Sequence, residues 1–181
     1  MSISTKTPVL GFAAYSGTGK TSLLVKLIPC LRGRGLRIGM IKHAHHDFDI
    51  DHPGKDSYEL RQAGATQMLI GAPGRWALIF ERTEPQPLQL QDYIEKLNHE
   101  QLDLILVEGF KPEKINKIEL HRPSLGKPLL FPEDDSIIAI ATDAVIDDTE
   151  PEQTVNIPVL DLNNLDQICE FVLQQMLAAK S

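Results

Sequence analysis

Residues 14–21, Ala-Tyr-Ser-Gly-Thr-Gly-Lys-Thr, constrain this chain more than any other stretch. They match a phosphate-binding loop at its Gly-Lys-Thr end, with alanine where the first glycine usually stands. Gly17 and Gly19 let the backbone curl until successive N–H groups aim at one anion, and a following helix adds its positive dipole end. Such a loop requires a buried strand before it and a helix after it. Residues 9–15 are a short apolar run suited to a parallel-sheet strand. From Lys20 onward, Leu23, Leu24, Leu27, Ile28 and Leu31 form a helical stripe that closes at Gly33 and Gly35. Ser16, Gly17, Thr18, Gly19, Lys20, Thr21 and Ser22 are therefore the candidate phosphate contacts. Lys20 can reach the outer phosphates and the Thr21 hydroxyl can ligate Mg²⁺, so these two are the candidate catalytic residues.

The remaining chain alternates strand and helix patterns. Residues 37–43 read as a strand and residues 44–55 as a polar loop. Asp56 and Glu59 read as an N-cap and its reciprocal partner, opening a short helix that stops at Gly64. Two short strands, 66–70 and 76–80, flank a turn at 72–74, and residues 88–97 read as an amphipathic helix. Strands follow at 104–107, 115–120, 137–142 and 158–160, with a Pro-rich loop at 123–135, and a last helix begins near Asn164. Pro29 should kink the first helix. The pattern predicts one α/β domain over residues 1–181: a P-loop NTPase-like three-layer sandwich with a mostly parallel central sheet, open to a small antiparallel addition from 66–80.

Composition excludes several classes. A net charge of -7 argues against a general nucleic-acid surface. Cys30 and Cys169 fall in helical stretches and form no C-x-x-C pair, as expected of small core residues in a reduced, cytoplasmic protein. No apolar stretch approaches the roughly 20 residues needed to span a bilayer, and residues 1–8 lack a signal-peptide core.

A nucleotide site of this kind needs a carboxylate at a neighbouring strand end. Glu108 follows four apolar residues and precedes Gly109, so it should emerge beside the loop as a metal ligand; Asp103 lies at the wrong end of that strand. His43, His45, His46 and His52 lie within ten residues, mixed with Asp47, Asp49 and Asp51. This cluster can be a transition-metal site, a nucleotide-responsive loop or a solvated polar loop. Its spacing matches no standard zinc signature. The expectation that it leaves a strand next to the P-loop strand favours the nucleotide-responsive reading, with Asp47 as the candidate ligand contact. Asn116-Lys117-Ile118-Glu119 imitates a guanine-reading element, but it runs into a strand instead of following one. Asp143, at a strand's carboxyl end, is better placed to accept hydrogen bonds from guanine, or else caps a turn. Arg75 and Trp76 can meet a phosphate or a ring, or be a surface arginine and a core tryptophan.

Taken with Ile41-Lys-His-Ala-His-His-Asp, Pro53-Gly-Lys-Asp-Ser-Tyr-Glu-Leu-Arg, Arg75-Trp-Ala-Leu and Leu104-Ile-Leu-Val-Glu-Gly-Phe-Lys, the loop resembles the MobB family across most of residues 8–180. These are GTP-binding adapter proteins of molybdopterin-guanine dinucleotide biosynthesis. The resemblance implies a homodimeric P-loop GTPase of low intrinsic activity, using GTP and Mg²⁺ and assisting the guanylyltransferase that joins GMP to molybdopterin. It leaves direct contact with molybdopterin open. Related ATPases of the nitrogenase iron-protein group carry an extra lysine early in the loop; Tyr15 stands there instead, so a lysine acting across a dimer is not implied. The alternative is a P-loop small-molecule kinase, which should have an arginine-rich lid. The seven arginines are scattered and the 123–135 loop has none. A metal-dependent hydrolase built on the His/Asp cluster would leave the loop unexplained. No water-positioning glutamine or arginine finger is evident, so any hydrolysis should be slow.

Overall fold

The structure is a computed structural model that describes residues 5–44, 48–82, 84, 89–144 and 155–179. The chain divides into two compact units, residues 1–43 with 89–181, and residues 44–88.

The first unit is built on one parallel sheet. Its strands are β1 (Val9–Ala13), β2 (Ile38–Lys42), β5 (Leu104–Glu108), β6 (Lys117–His121), β7 (Ile137–Thr142) and β8 (Val159–Asp161), in the order β2-β5-β1-β6-β7-β8. Every pairing is parallel, which accounts for the unbroken apolar runs in β1, β5 and β7. β1 lies between β5 and β6, with Phe12 opposite Glu108 on one side and Ala13 opposite Glu119 on the other. Here the expectation about the His/Asp loop needs correction. The strand that precedes it, β2, pairs with β5 and is one strand removed from β1. Local sequence pattern marks a strand but not its place in the sheet.

Alternation divides the strand residues between two apolar clusters. Leu10, Phe12, Leu104, Leu106, Ile118 and Leu120 face helices α1 (Lys20–Gly33) and α4 (Leu165–Ala178), which contribute Leu24, Leu27, Leu31, Ile168, Val172 and Met176. Ile41, Ile105, Val107 and Ile115 form the second cluster with Phe110 and with Leu90 and Ile94 of the short helix α3 (Leu90–Ile94). A helix on each face gives the expected three layers. Helix α1 runs through Pro29, whose missing N–H spares only the carbonyl of exposed Val25. Helix α3 is shorter than the 88–97 pattern suggested, because the N–H groups of Lys96 and Leu97 bond to the carbonyls three residues back, Tyr93 and Ile94, and tighten the chain out of the α-helix before Asn98 caps a separate 3₁₀ turn. In α4, Asn164 caps the first turn by accepting from the Gln167 N–H.

Two charged residues of β6 face inward. Lys117 and Glu119 are each 1% exposed. The Lys117 ammonium donates to Asp134 Oδ2 and to the Lys111 carbonyl, both at 2.7 Å, while Glu119 accepts the Leu130 and Phe131 N–H groups at 2.7 and 2.8 Å. These bonds fix the Pro-rich 122–135 segment to the sheet and satisfy groups that would be costly to bury alone.

The second unit contains α2 (Asp56–Gln62) and an antiparallel hairpin, β3 (Gln67–Ala72) with β4 (Arg75–Phe80), the addition the sequence left room for. Ala72 pairs with Arg75, so the turn is Pro73-Gly74 alone. Helix α2 is capped by Lys55 without a side-chain bond, and Asp56 lies in its first turn, one place later than the capping-box reading put it. Glu59 still reaches back, to the Gly54 N–H. Arg61 is nearly buried among Asp49, Asp51 and Glu81.

Burial raises the Asp134 carboxyl, but hydrogen bonds from Lys117 and Ser136 outweigh it and hold the pKa at about 2, below the unfolded value of 3.8. A depressed carboxylate stabilises the fold above its unfolded pKa, and that contribution is lost as pH falls through the folded one. Wild-type thermal stability should therefore drop between pH 3.8 and about 2 more steeply than that of Asp134→Asn; parallel melting curves over this window would refute the assignment.

Candidate phosphate-binding site

The site forms where β1 ends. Gly17 and Gly19 adopt positive φ values of 82° and 100°, which a side chain would strain, and α1 starts directly after Gly19. Ala14, at the irregular first position, is 1% exposed and packs into the α1–α4 cluster. The alanine is thus a core residue that leaves the loop's curl intact. Thr18 is also buried, and its hydroxyl donates to the Tyr15 carbonyl at 2.9 Å. Ser16, Thr21 and Ser22 are exposed.

Lys20 turns back over the loop, donating to the Ala14 carbonyl at 3.1 Å and the Tyr15 carbonyl at 3.4 Å. Burial lowers its pKa from 10.5, nearby Glu108 opposes this, and Lys111 and Lys42 push it further down. The Thr21 hydroxyl donates to Glu108 Oε1 at 3.3 Å, and the Lys42 ammonium lies 3.5 Å from the other Glu108 oxygen. The structure thus brings together Lys20, Thr21 and Glu108, residues 87 positions apart in the case of the last two. A hydroxyl and a carboxylate converging beside a loop of N–H groups are hard oxygen donors, the kind Mg²⁺ prefers when it also holds phosphate.

Arg122 is part of this site and was not identified from sequence. It follows β6, donates from Nε to the Thr18 carbonyl at 2.9 Å, and pairs through NH1 with Asp143. The candidate guanine reader is therefore bound to a guanidinium that also braces the phosphate loop. The visible signal was His121-Arg122-Pro123: a proline closing a strand fixes the preceding arginine at the sheet's carboxyl edge. His121, beside it, is lowered by burial and raised by Asp143.

Other candidates lie elsewhere. Lys117 and Glu119 of the guanine-like element lie within β6 and are occupied inside the sheet, so neither is offered to a base. Arg75 is exposed in the second unit at the hairpin turn, lining a shallow apolar recess of about 180 Å³ with Ile50, Ile70 and Ile79. Trp76 is 70% exposed, which overturns its reading as a core residue. In the His/Asp loop, Asp49 and Asp51 are drawn to Arg61 within the second unit. Asp47, His45 and His46 lie outside the described residues. Among the described residues no cluster of His, Cys, Asp or Glu is arranged to hold a metal ion.

Known proteins share both the sequence pattern and the fold of this chain. The family model for molybdopterin guanine dinucleotide synthesis protein B matches residues 9–143. The chain is 47% identical over 173 residues to the molybdopterin-guanine dinucleotide biosynthesis adapter protein of Escherichia coli strain K12, covering 95% of both chains. It is 41% identical to the adapter protein of the same name from Haemophilus influenzae, covering 91% of this chain and 87% of that one. A crystal structure of molybdopterin-guanine biosynthesis protein B superposes with a TM-score of 0.68 at 25% identity, covering 92% of this chain and 98% of that one. A MobB homologue from Bacillus stearothermophilus shares the fold with the same TM-score, 21% identity, and 94% and 98% coverage.

If Arg122 braces the loop, Arg122→Ala should speed hydrogen exchange at the amides of residues 16–19 by about tenfold, with exchange in β1 unchanged. Mass-spectrometric exchange on the ligand-free protein measures this. Unaltered loop protection would show that the Thr18 contact holds nothing in place.

Proposed function

Because the chain belongs to the MobB family of molybdopterin-guanine dinucleotide biosynthesis adapter proteins, we propose that it binds GTP with Mg²⁺ on residues 14–21 and serves the guanylyltransferase that joins GMP to molybdopterin. The observation that carries this reading is the Thr21–Glu108 contact at the foot of the curled loop. There the two oxygen donors would hold the ion, while Lys20 exchanges its loop carbonyls for the outer phosphate oxygens. Mg²⁺, when bound, neutralises phosphate charge and orients the terminal phosphoryl group. Asp143 would read the guanine N1 and N2 hydrogens, an interaction that adenine cannot return. Little catalytic power is built in. Arg122, the arginine on the loop, is already committed to Asp143 and Thr18, which supports low intrinsic GTPase activity and an adapter role.

We also propose that the working form is a cytoplasmic homodimer. Among the described residues no helix is long and apolar enough to cross a membrane. The hairpin register places Leu69, Trp76, Leu78 and Phe80 on one face of the two-stranded sheet, and all four are more than half exposed. A two-stranded sheet is marginal by itself, and an apolar face of this kind is suited to a self-complementary contact between copies.

Two measurements test these proposals. Titration of labelled GTP should give binding that ATP displaces at least tenfold less well than GTP, no binding by folded Lys20→Ala, and reduced base preference in Asp143→Ala. Equal competition by the two nucleotides would remove guanine specificity, and unchanged affinity in Lys20→Ala would remove the site. Sedimentation equilibrium should show a dimer for the wild type and a monomer for Leu78→Glu; a monomeric wild type would dispose of the dimer.

A further inference from the structure

The turn after β5 contains the one non-glycine residue with positive φ among the described residues, Phe110 at 54°. It follows Gly109, at 92°, where a Cβ would lie 2.6 Å from the His43 Cβ. Two consecutive left-handed residues reverse the chain sharply, and a side chain as large as phenylalanine adopts that conformation only where its surroundings compel it. Phe110 is 5% exposed, packed against the His43 ring at 5.0 Å and the Tyr93 ring at 5.9 Å. The conformation is thus held by aromatic packing on one side and, on the other, by the His43 N–H bonded to the Glu108 carbonyl at 2.9 Å.

The reversal determines where the next residue goes. Lys111 is exposed, yet its ammonium lies 4.8 Å from the centre of the Tyr15 ring, over the phosphate loop, and close enough to Lys20 to depress that residue's pKa. Its main chain is pinned from beneath. The buried Lys117 ammonium donates to the Lys111 carbonyl at 2.7 Å and is itself held by Asp134 at 2.7 Å. Among the described residues no carboxylate forms an ion pair with Lys111. Strain, a buried cation and an aromatic ring therefore combine to hold a second ammonium over the loop that carries Lys20, with Glu108 acting on Lys20 and Glu119 on Lys111. Like charges are brought together in this way where an anion is to be bound between them.

We propose that Lys111 is a further phosphate contact, meeting the terminal phosphate of the nucleotide from the side opposite the helix start, with Lys117 as the positioning residue that fixes its backbone. The inference rests on the reading of residues 14–21 as a nucleoside triphosphate site and adds a second ligand from a distant strand. Tyr15 serves as the resting platform of the Lys111 ammonium, a cation–π contact that a phosphate oxygen readily outcompetes. The contact favours triphosphate over diphosphate and monophosphate, because the ammonium of the P-loop helix serves the inner phosphates as well.

The test is isothermal titration of GTP, GDP and GMP, with Mg²⁺, into the wild type, Lys111→Ala and Lys111→Arg. Lys111→Ala should weaken GTP binding about ten- to hundredfold, GDP less and GMP least, with Lys111→Arg recovering part of the GTP loss. GTP affinity within twofold of wild type in Lys111→Ala overturns the proposal. So does an equal loss for all three nucleotides, which would mean that Lys111 only shapes the loop. Failure of the wild type to bind any of the nucleotides would defeat the parent reading together with this one; wild-type binding with an indifferent Lys111→Ala defeats this one alone.

Discussion

Strand β1 has a parallel neighbour on each side and an apolar cluster on each face, so none of its side chains is free for chemistry along its length. Everything the strand can offer a ligand is pushed to its carboxyl end, where the chain must leave the sheet and turn into α1. In an open parallel sheet this is also where connections diverge to either side: α1 leads away toward β2, and the chain leaving β5 crosses to β6. The loop at 14–21, Glu108 at the end of β5 and Arg122 at the end of β6 are consequences of that one arrangement. Moving β1 to an edge would leave the loop without Glu108 or without Arg122.

Charge at the site runs against the charge of the whole. A chain with net charge -7 gathers Lys20, Lys42 and Lys111 around the loop, with the Glu108 carboxylate between Lys42 and Thr21. Clustered ammonium groups repel, so the cluster persists only because each is tied by other means: Lys20 to loop carbonyls, Lys42 to Glu108 and Lys111 to the Tyr15 ring. The buried Lys117–Asp134 pair belongs to the same scheme. Buried ion pairs contribute little net stability, but they fix geometry, and this one fixes the segment that carries Lys111.

How much of this was legible in the sequence follows from the range of the forces involved. The loop, its flanking strand and helix, and Glu108 depend on local spacing, and each stands where the pattern put it. The open hairpin was legible for the same reason, through Pro73-Gly74. The place of β2 was not, because nothing in residues 38–42 records that β5 inserts between it and β1. The structural roles of Arg122 and Lys117 were not legible because their partners lie far along the chain, 17 positions for Lys117–Asp134 and 104 for Arg122–Thr18. Trp76 is the converse error: a large apolar residue was allowed a core that its strand does not have.

The interior of residues 44–88 is of a different kind from that of the sheet. Its buried centre is a guanidinium, Arg61, surrounded by Asp49, Asp51 and Glu81, and the Arg61 Nε and Asp51 Oδ2 atoms face each other at 3.7 Å without a hydrogen bond. Ionic interiors are specific in geometry but weak in cohesion, since desolvation offsets most of the attraction. Such a unit can open while the parallel sheet stays shut, behaving as a separate cooperative segment of lower stability. Proteases acting on the native protein would then meet this segment first, and evolution could lengthen or rebuild it without disturbing the curled loop at the end of β1.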